Sequence, residues 1–129
     1  MARNFNKLYK VLPDEKVFLR ITIGYGQPSA TTLRLRGEEI LHEHADDVMP
    51  NGEWLELGVG ADLHDSSLIG VTSIQDTNPA TDMASVHYFL RGGVRSWDDR
   101  MQDDLGENGT ADFVGIIEFY IPRASTEVT

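Results

Sequence analysis

The chain has no cysteine. A disulfide framework, a thiolate nucleophile and a cysteine-ligated zinc site are therefore excluded, and the composition is compatible with a reducing compartment. Lysine is scarce: Lys7, Lys10 and Lys16 are the whole complement, all within the first sixteen residues. Long apolar runs are missing too. No stretch approaches the ~18–20 residues of a membrane-crossing helix. The opening Met-Ala-Arg-Asn-Phe-Asn-Lys offers no apolar segment for a signal peptide. These absences lead us to expect a soluble, cytoplasmic protein with no membrane partner. Phosphate-loop and dinucleotide-binding glycine patterns are also missing, as is the Gly-x-Ser-x-Gly nucleophile elbow. No motif names a reaction or a cofactor.

What is present is an ordinary globular composition. The 129 residues are 40% apolar and 25% charged, enough for one domain that buries roughly 70% of its unfolded surface. We expect a single domain over residues 1–122 and a frayed polar tail over residues 123–129. The net charge of −10 disfavours general nucleic-acid binding, which depends on neutralising phosphates. That charge is unevenly placed. Residues 1–36 carry seven basic and two acidic side chains, and residues 37–129 carry four basic and nineteen acidic ones. Either the basic segment pairs with an acidic neighbour in the same fold, or a basic face of one copy meets an acidic face of another copy or of a partner.

The dominant hydrophobic period is two. Val17, Leu19, Ile21 and Ile23 share one face of a strand, with Arg20 and Thr22 on the other. Leu33 and Leu35 alternate with Thr32, Arg34 and Arg36. Leu55, Leu57 and Val59 oppose Trp54 and Glu56. Ser67–Ile74 is a further β-rich run, and Val86, Tyr88 and Leu90 share one side of Ser85–Arg91. Ala111–Ile121 is apolar on both faces, with Phe113, Ile117, Phe119 and Ile121 on one and Val114, Ile116 and Tyr120 on the other, which predicts a central strand. Leu8–Leu12 adds a short edge strand. Met49-Pro50-Asn51-Gly52 and Asp76–Asp82 are turns, and Asn108-Gly109-Thr110 is read as a turn rather than a glycosylation site. Glu38–Val48 either continues a hairpin or forms one or two helical turns. Ser96–Gly109 is a long loop or a short helix at Asp98–Leu105, anchored by Trp97 and Met101. About seven or eight short strands with at most one short helix predict an all-β, antiparallel β-sandwich, immunoglobulin-like or jelly-roll-like.

Four constellations merit weighing. His42-Glu43-His44 would point two imidazoles the same way on a strand, as in metal sites of the cupin kind, but Asp46 and Asp47 do not supply the carboxylate spacing such sites need. The acidic run Asp98, Asp99, Asp103 and Asp104, with Asp62, Asp65, Asp76 and Asp82 in other loops, could offer oxygens to calcium, without the EF-hand pattern. His64-Asp65-Ser66 has the residue types of a hydrolase triad, but adjacent residues cannot form the relay. Trp54 would be a stacking platform for carbohydrate if its side of the sheet is open, and core if it is covered.

The reading favoured by these residues is a non-enzymatic β-sandwich without a cofactor, acting through protein contacts as an assembly subunit, an oligomer or an interaction module. Arg20, Arg34 and Arg36 would form its basic face, with Trp54, and Asp98, Asp99, Asp103 and Asp104 the acidic complement. The alternatives are a calcium- or carbohydrate-binding module and a small metal-dependent enzyme built on His42 and His44.

Overall fold

A computed structural model describes residues 3–44 and 53–122. The expected turn at Met49–Gly52, Asp46, Asp47 and the tail 123–129 lie outside the described residues. Nine strands and one short helix make up the rest. In chain order they are β1 (Asn4–Lys10), β2 (Lys16–Gly24), β3 (Ser29–Leu35), β4 (Glu38–His44), β5 (Leu55–Val59), α1 (Gly60–Leu63), β6 (Ser67–Gln75), β7 (Met83–Arg91), β8 (Trp97–Asp104) and β9 (Thr110–Tyr120). Two sheets pack face to face: a five-stranded sheet in the order β1-β9-β6-β3-β4 and a four-stranded sheet in the order β5-β2-β7-β8. The fold is the all-β sandwich that the alternating pattern predicts.

The alternation sets which side chains enter the core. Val17, Leu19 and Ile21 of β2 and Val86, Tyr88 and Leu90 of β7 face Leu33, Leu68, Phe113, Ile117 and Phe119 of the other sheet, all of them buried. Each such side chain contributes roughly 1.5–3 kcal/mol on leaving water. One polar pair inside satisfies itself: the Thr31 and Thr72 hydroxyls meet at 2.8 Å across β3 and β6.

Two expectations are corrected and one open alternative is decided. Trp97–Asp104 is neither a loop nor a helix but strand β8, the edge of the four-stranded sheet, paired antiparallel with β7. Only Trp97 and Met101 of its eight residues reach the core, so the apolar period is too sparse to register. An edge strand rich in carboxylates also resists pairing with a second chain. Of the two alternatives left open for Glu38–Val48, the hairpin holds over Glu38–His44, which pairs antiparallel with β3 although it is exposed along most of its length. The N-terminal edge strand runs over Asn4–Lys10 and pairs parallel with β9, which makes one parallel ladder in an otherwise antiparallel sandwich.

β1 lies across the open side of the sandwich from β8. The Phe5 ring makes edge contacts with Tyr88 at 5.0 Å and Trp97 at 5.3 Å. Arg3 pairs with Asp103, and the Lys7 ammonium sits 5.6 Å above the Trp97 ring. Part of the basic N-terminal segment is therefore matched within the fold. The Arg3 hydrogen bond holds the Asp103 carboxyl below its ordinary value.

Candidate functional site

The outward face of the four-stranded sheet carries aromatic and arginine side chains where a solvated sheet usually carries small polar ones. On β2 the outward row is Phe18, Arg20 and Thr22, and on β7 it is His87, Phe89 and Arg91. Register sets Phe18 opposite Arg91 and Arg20 opposite Phe89. Each pair is an arginine over a ring: the guanidinium carbon lies 5.1 Å from the Phe18 centroid and 5.8 Å from that of Phe89. Trp54, just before β5, meets Phe89 edge-on at 6.5 Å and receives Arg91 at 4.3 Å over its own ring. His87 stacks on Phe89 at 3.9 Å, and its Nε2 lies 2.7 Å from Asp98 Oδ2. Exposed arginine–aromatic contacts are worth ~0.5–1 kcal/mol each and more when water is excluded.

The charges on this face do not cancel. Lys16 pairs with Glu56 at 3.5 Å and His87 with Asp98. Arg20, Arg91 and Arg100 have no ion pair among the described residues. The Arg20 Nε–H is buried and has no hydrogen-bond partner there. This face thus gathers arginines and aromatic rings, with the carboxylates of Asp98 and Asp104 on the same side of the β8 edge.

The residues expected to act together are divided by the fold. Arg20 and Trp54 do share the patch, through Phe89. Arg34 lies outward on β3, in the other sheet, beside Ile69 and Glu39. Arg36 occupies the β3–β4 turn, and its Nη1 donates to the Asp62 carbonyl at 2.7 Å. The expected face of Arg20, Arg34 and Arg36 is therefore corrected: a period of two tells which way a side chain points from its strand, not which sheet the strand joins. The acidic set divides as well. Asp98 faces outward against His87, Asp103 turns toward Arg3, Asp99 accepts from the Arg100 amide, and Asp104 accepts from the Gly106 amide. Phe18, His87, Phe89 and Arg91 were the residues missed. Their signal was the outward half of two strands whose inward halves were read correctly.

His42 and His44 do share one side of β4, with ring centroids 5.1 Å apart. His42 Nδ1 is 2.8 Å from the Thr32 hydroxyl. His64 accepts from the Ile121 amide and so belongs to a different edge. Among the described residues no group of three or more histidine or carboxylate side chains is arranged to hold a metal ion.

At one end of the sandwich, Asp76, Asp82 and Glu107 surround a shallow pocket of about 310 Å³. Burial alone would raise the Asp76 carboxyl, but hydrogen bonds from Asp82, Gln27 and the Asn108 and Asn78 amides hold it below its ordinary value. The hydrogen bond to Asp76, burial and the charges of Asp76, Asp104 and Glu107 raise Asp82. A raised carboxyl stabilises the fold below its unfolded value of 3.8 and loses that contribution as pH rises through its folded value. Asp76 behaves oppositely. Asp82→Asn keeps a donor toward Asp76 and removes the repulsion, so it is expected to raise the melting temperature at neutral pH, with the gain narrowing as pH falls toward 3.8. Thermal melts across that range check this; a lower melting temperature at neutral pH would contradict the repulsion between the two carboxylates.

Comparison with family models, with curated proteins and with solved structures returned no match. Among the described residues no helix is long and apolar enough to cross a membrane.

Proposed function

We propose that this domain is a non-enzymatic interaction module and that the outward face of β5-β2-β7-β8 docks an acidic protein surface. The observation that carries the reading is the patch of Phe18, Trp54, Phe89, Arg20 and Arg91, whose two arginines form no ion pair among the described residues. Tryptophan and arginine are the residue types that dominate protein–protein binding energy, because they bury large area and desolvate well. The directly opposed arginine–ring pairs hold the guanidinium planes over the aromatic side chains and lower the ordering cost of binding. Carbohydrate stacking is the less favoured reading, because Arg91 covers the Trp54 ring that a sugar would use.

Site-specific photocrosslinking in the native host tests the proposal. A photoreactive phenylalanine analogue at position 54 is expected to give discrete protein adducts that map to an acidic segment, of a second copy or of another protein. Arg20→Glu with Arg91→Glu is expected to reduce their yield by about tenfold, since each charge-assisted contact contributes on the order of a kcal/mol. The same analogue at Ser73, on the opposite sheet, is the control. Equal adducts at both positions, or indifference to charge reversal, would sink the reading.

A further inference from the structure

A second feature lies at the open side of the sandwich, away from the aromatic patch. There β1 and the turn between β7 and β8 enclose a pocket of about 390 Å³. Its walls include Lys7, Lys10, Arg95 and Ser96, and its aromatic lining is Tyr9 and Trp97. Two of the three lysines in the chain are here. No carboxylate lines the pocket, and among the described residues Lys7, Lys10 and Arg95 form no ion pair.

The backbone builds this concentration of charge. Gly92 and Gly93 both have φ of +87°, a conformation open to glycine. A Cβ on Gly92 would lie 2.0 Å from the Lys16 carbonyl, and one on Gly93 would lie 2.5 Å from that of Lys10. The bare turn therefore closes onto β1, where the Val94 amide donates to the Lys10 carbonyl at 3.2 Å. The Tyr9 hydroxyl donates to the Gly92 carbonyl. Burial, and then the charge of Glu15, push that phenol up to about 12, so it stays protonated as a donor. Glu15 is itself held behind the turn by the Gly93 amide at 2.9 Å. The turn brings Arg95 and Ser96 to the two lysines.

Three cationic residues border one pocket whose lining holds no carboxylate, and Lys7 and Lys10 leave β1 on opposite sides of the strand, a setting that favours an anion seated at its edge. We propose that this pocket binds a phosphate group, carried by a small molecule or by a lipid headgroup. A carboxylate brings one negative charge, whereas a phosphomonoester brings about 1.5 to 2 at neutral pH and three acceptor oxygens. Arg95 supplies a forked pair of donors and the lysines supply point charges, the combination suited to phosphate oxygens. Ser96 adds a neutral donor. Trp97 forms part of the pocket wall beneath the Lys7 ammonium, so its fluorescence reports on the site.

The test uses the full chain and pyrophosphate as probe. In a Trp54→Phe background Trp97 is the one tryptophan, and its fluorescence is expected to change saturably with pyrophosphate. Calorimetry on the unsubstituted protein gives the same constant without relying on that variant. Lys10→Ala and Arg95→Ala are each expected to weaken binding roughly tenfold. Their melting temperatures without pyrophosphate should be unchanged, because neither side chain supports the core. Co-sedimentation with phosphatidylcholine vesicles, with and without phosphatidic acid, separates a lipid source from a soluble one, and binding in either arm supports the site. The idea fails if neither arm binds, if sodium chloride at matched ionic strength reproduces the response, or if the protein carrying both Lys10→Ala and Arg95→Ala binds as the parent does.

Discussion

Gly70→Ala is expected to destabilise the protein by about 3 kcal/mol, near the upper end of what overpacking costs, and Tyr88→Phe is expected to return part of that loss. Gly70 on β6 and Gly115 on β9 are directly paired, and the Tyr88 ring from the other sheet projects between them. A Cβ on Gly70 would sit 2.1 Å from the Tyr88 hydroxyl and 2.9 Å from Leu33 Cδ2. One on Gly115 would meet Phe5 Cζ at 2.7 Å. Tyr88 is fully buried and its neighbours are close-packed, so neither side can yield cheaply. Its hydroxyl has no hydrogen-bond partner among the described residues, and burial raises its pKa strongly. Tyr88→Phe alone should therefore be neutral or stabilising by about 1 kcal/mol, since it removes an unsatisfied buried group. In the double variant the nearest remaining ring atom would be Cζ, 3.1 Å from the new methyl. A denaturant double-mutant cycle reads the coupling. Strict additivity of the two changes would rule out the proposed steric opposition.

Gln27→Ala should cost a comparable amount, about 3–5 kcal/mol, for the opposite reason: it removes partners instead of adding atoms. Gln27 is fully buried at the loop end of the sandwich. Its Nε2 donates to Asp76 Oδ1 at 2.9 Å and to the carbonyls of Met83 at 3.0 Å and Thr81 at 3.3 Å. Its Oε1 accepts from the Thr77 and Asn78 amides, both at 3.1 Å. One side chain thus closes the turn between β6 and β7 onto the segment leading to β3. Alanine would remove the Gln27 partners of the Thr77 and Asn78 amides and of the Thr81 and Met83 carbonyls, at ~1–3 kcal/mol for each group that stays buried. Gln27→Glu separates shape from donor chemistry. It should be destabilised at neutral pH by a carboxylate beside Asp76, and should recover as acid protonates the new side chain. Urea denaturation at several pH values measures both variants. A loss under 1 kcal/mol for alanine, or no recovery of the glutamate variant in acid, would show that the loop is held by something else.

The two residues at the centre of these predictions differ in how legible they were. Tyr88 was placed inward by its spacing from Val86 and Leu90. The glycines that receive it were not, because a glycine in a β-rich run carries no sign of what approaches it from another sheet. Gln27 belongs to no alternating run and no motif, and its five hydrogen bonds join segments about fifty residues apart. The aromatic patch was half visible. Trp54 and Arg20 stood out as large or charged residues on outward positions, whereas Phe18, Phe89 and Arg91 were left among ordinary strand positions. The pocket of Lys7, Lys10 and Arg95 was foreshadowed only by the clustering of lysine near the N-terminus.

The amino-acid order by itself determined that this is a β-sandwich and which side of most strands faces inward, because burial against a packed sheet imposes a period of two that any strand must display locally. It also determined the imbalance of charge along the chain. Tertiary structure alone decided that β1 runs parallel to β9 across from β8, that Arg20 and Arg34 belong to opposite faces, and that Arg95 joins two lysines some eighty residues away. These are matters of which strand lies beside which, and that depends on long-range pairing and packing whose energies no local pattern records.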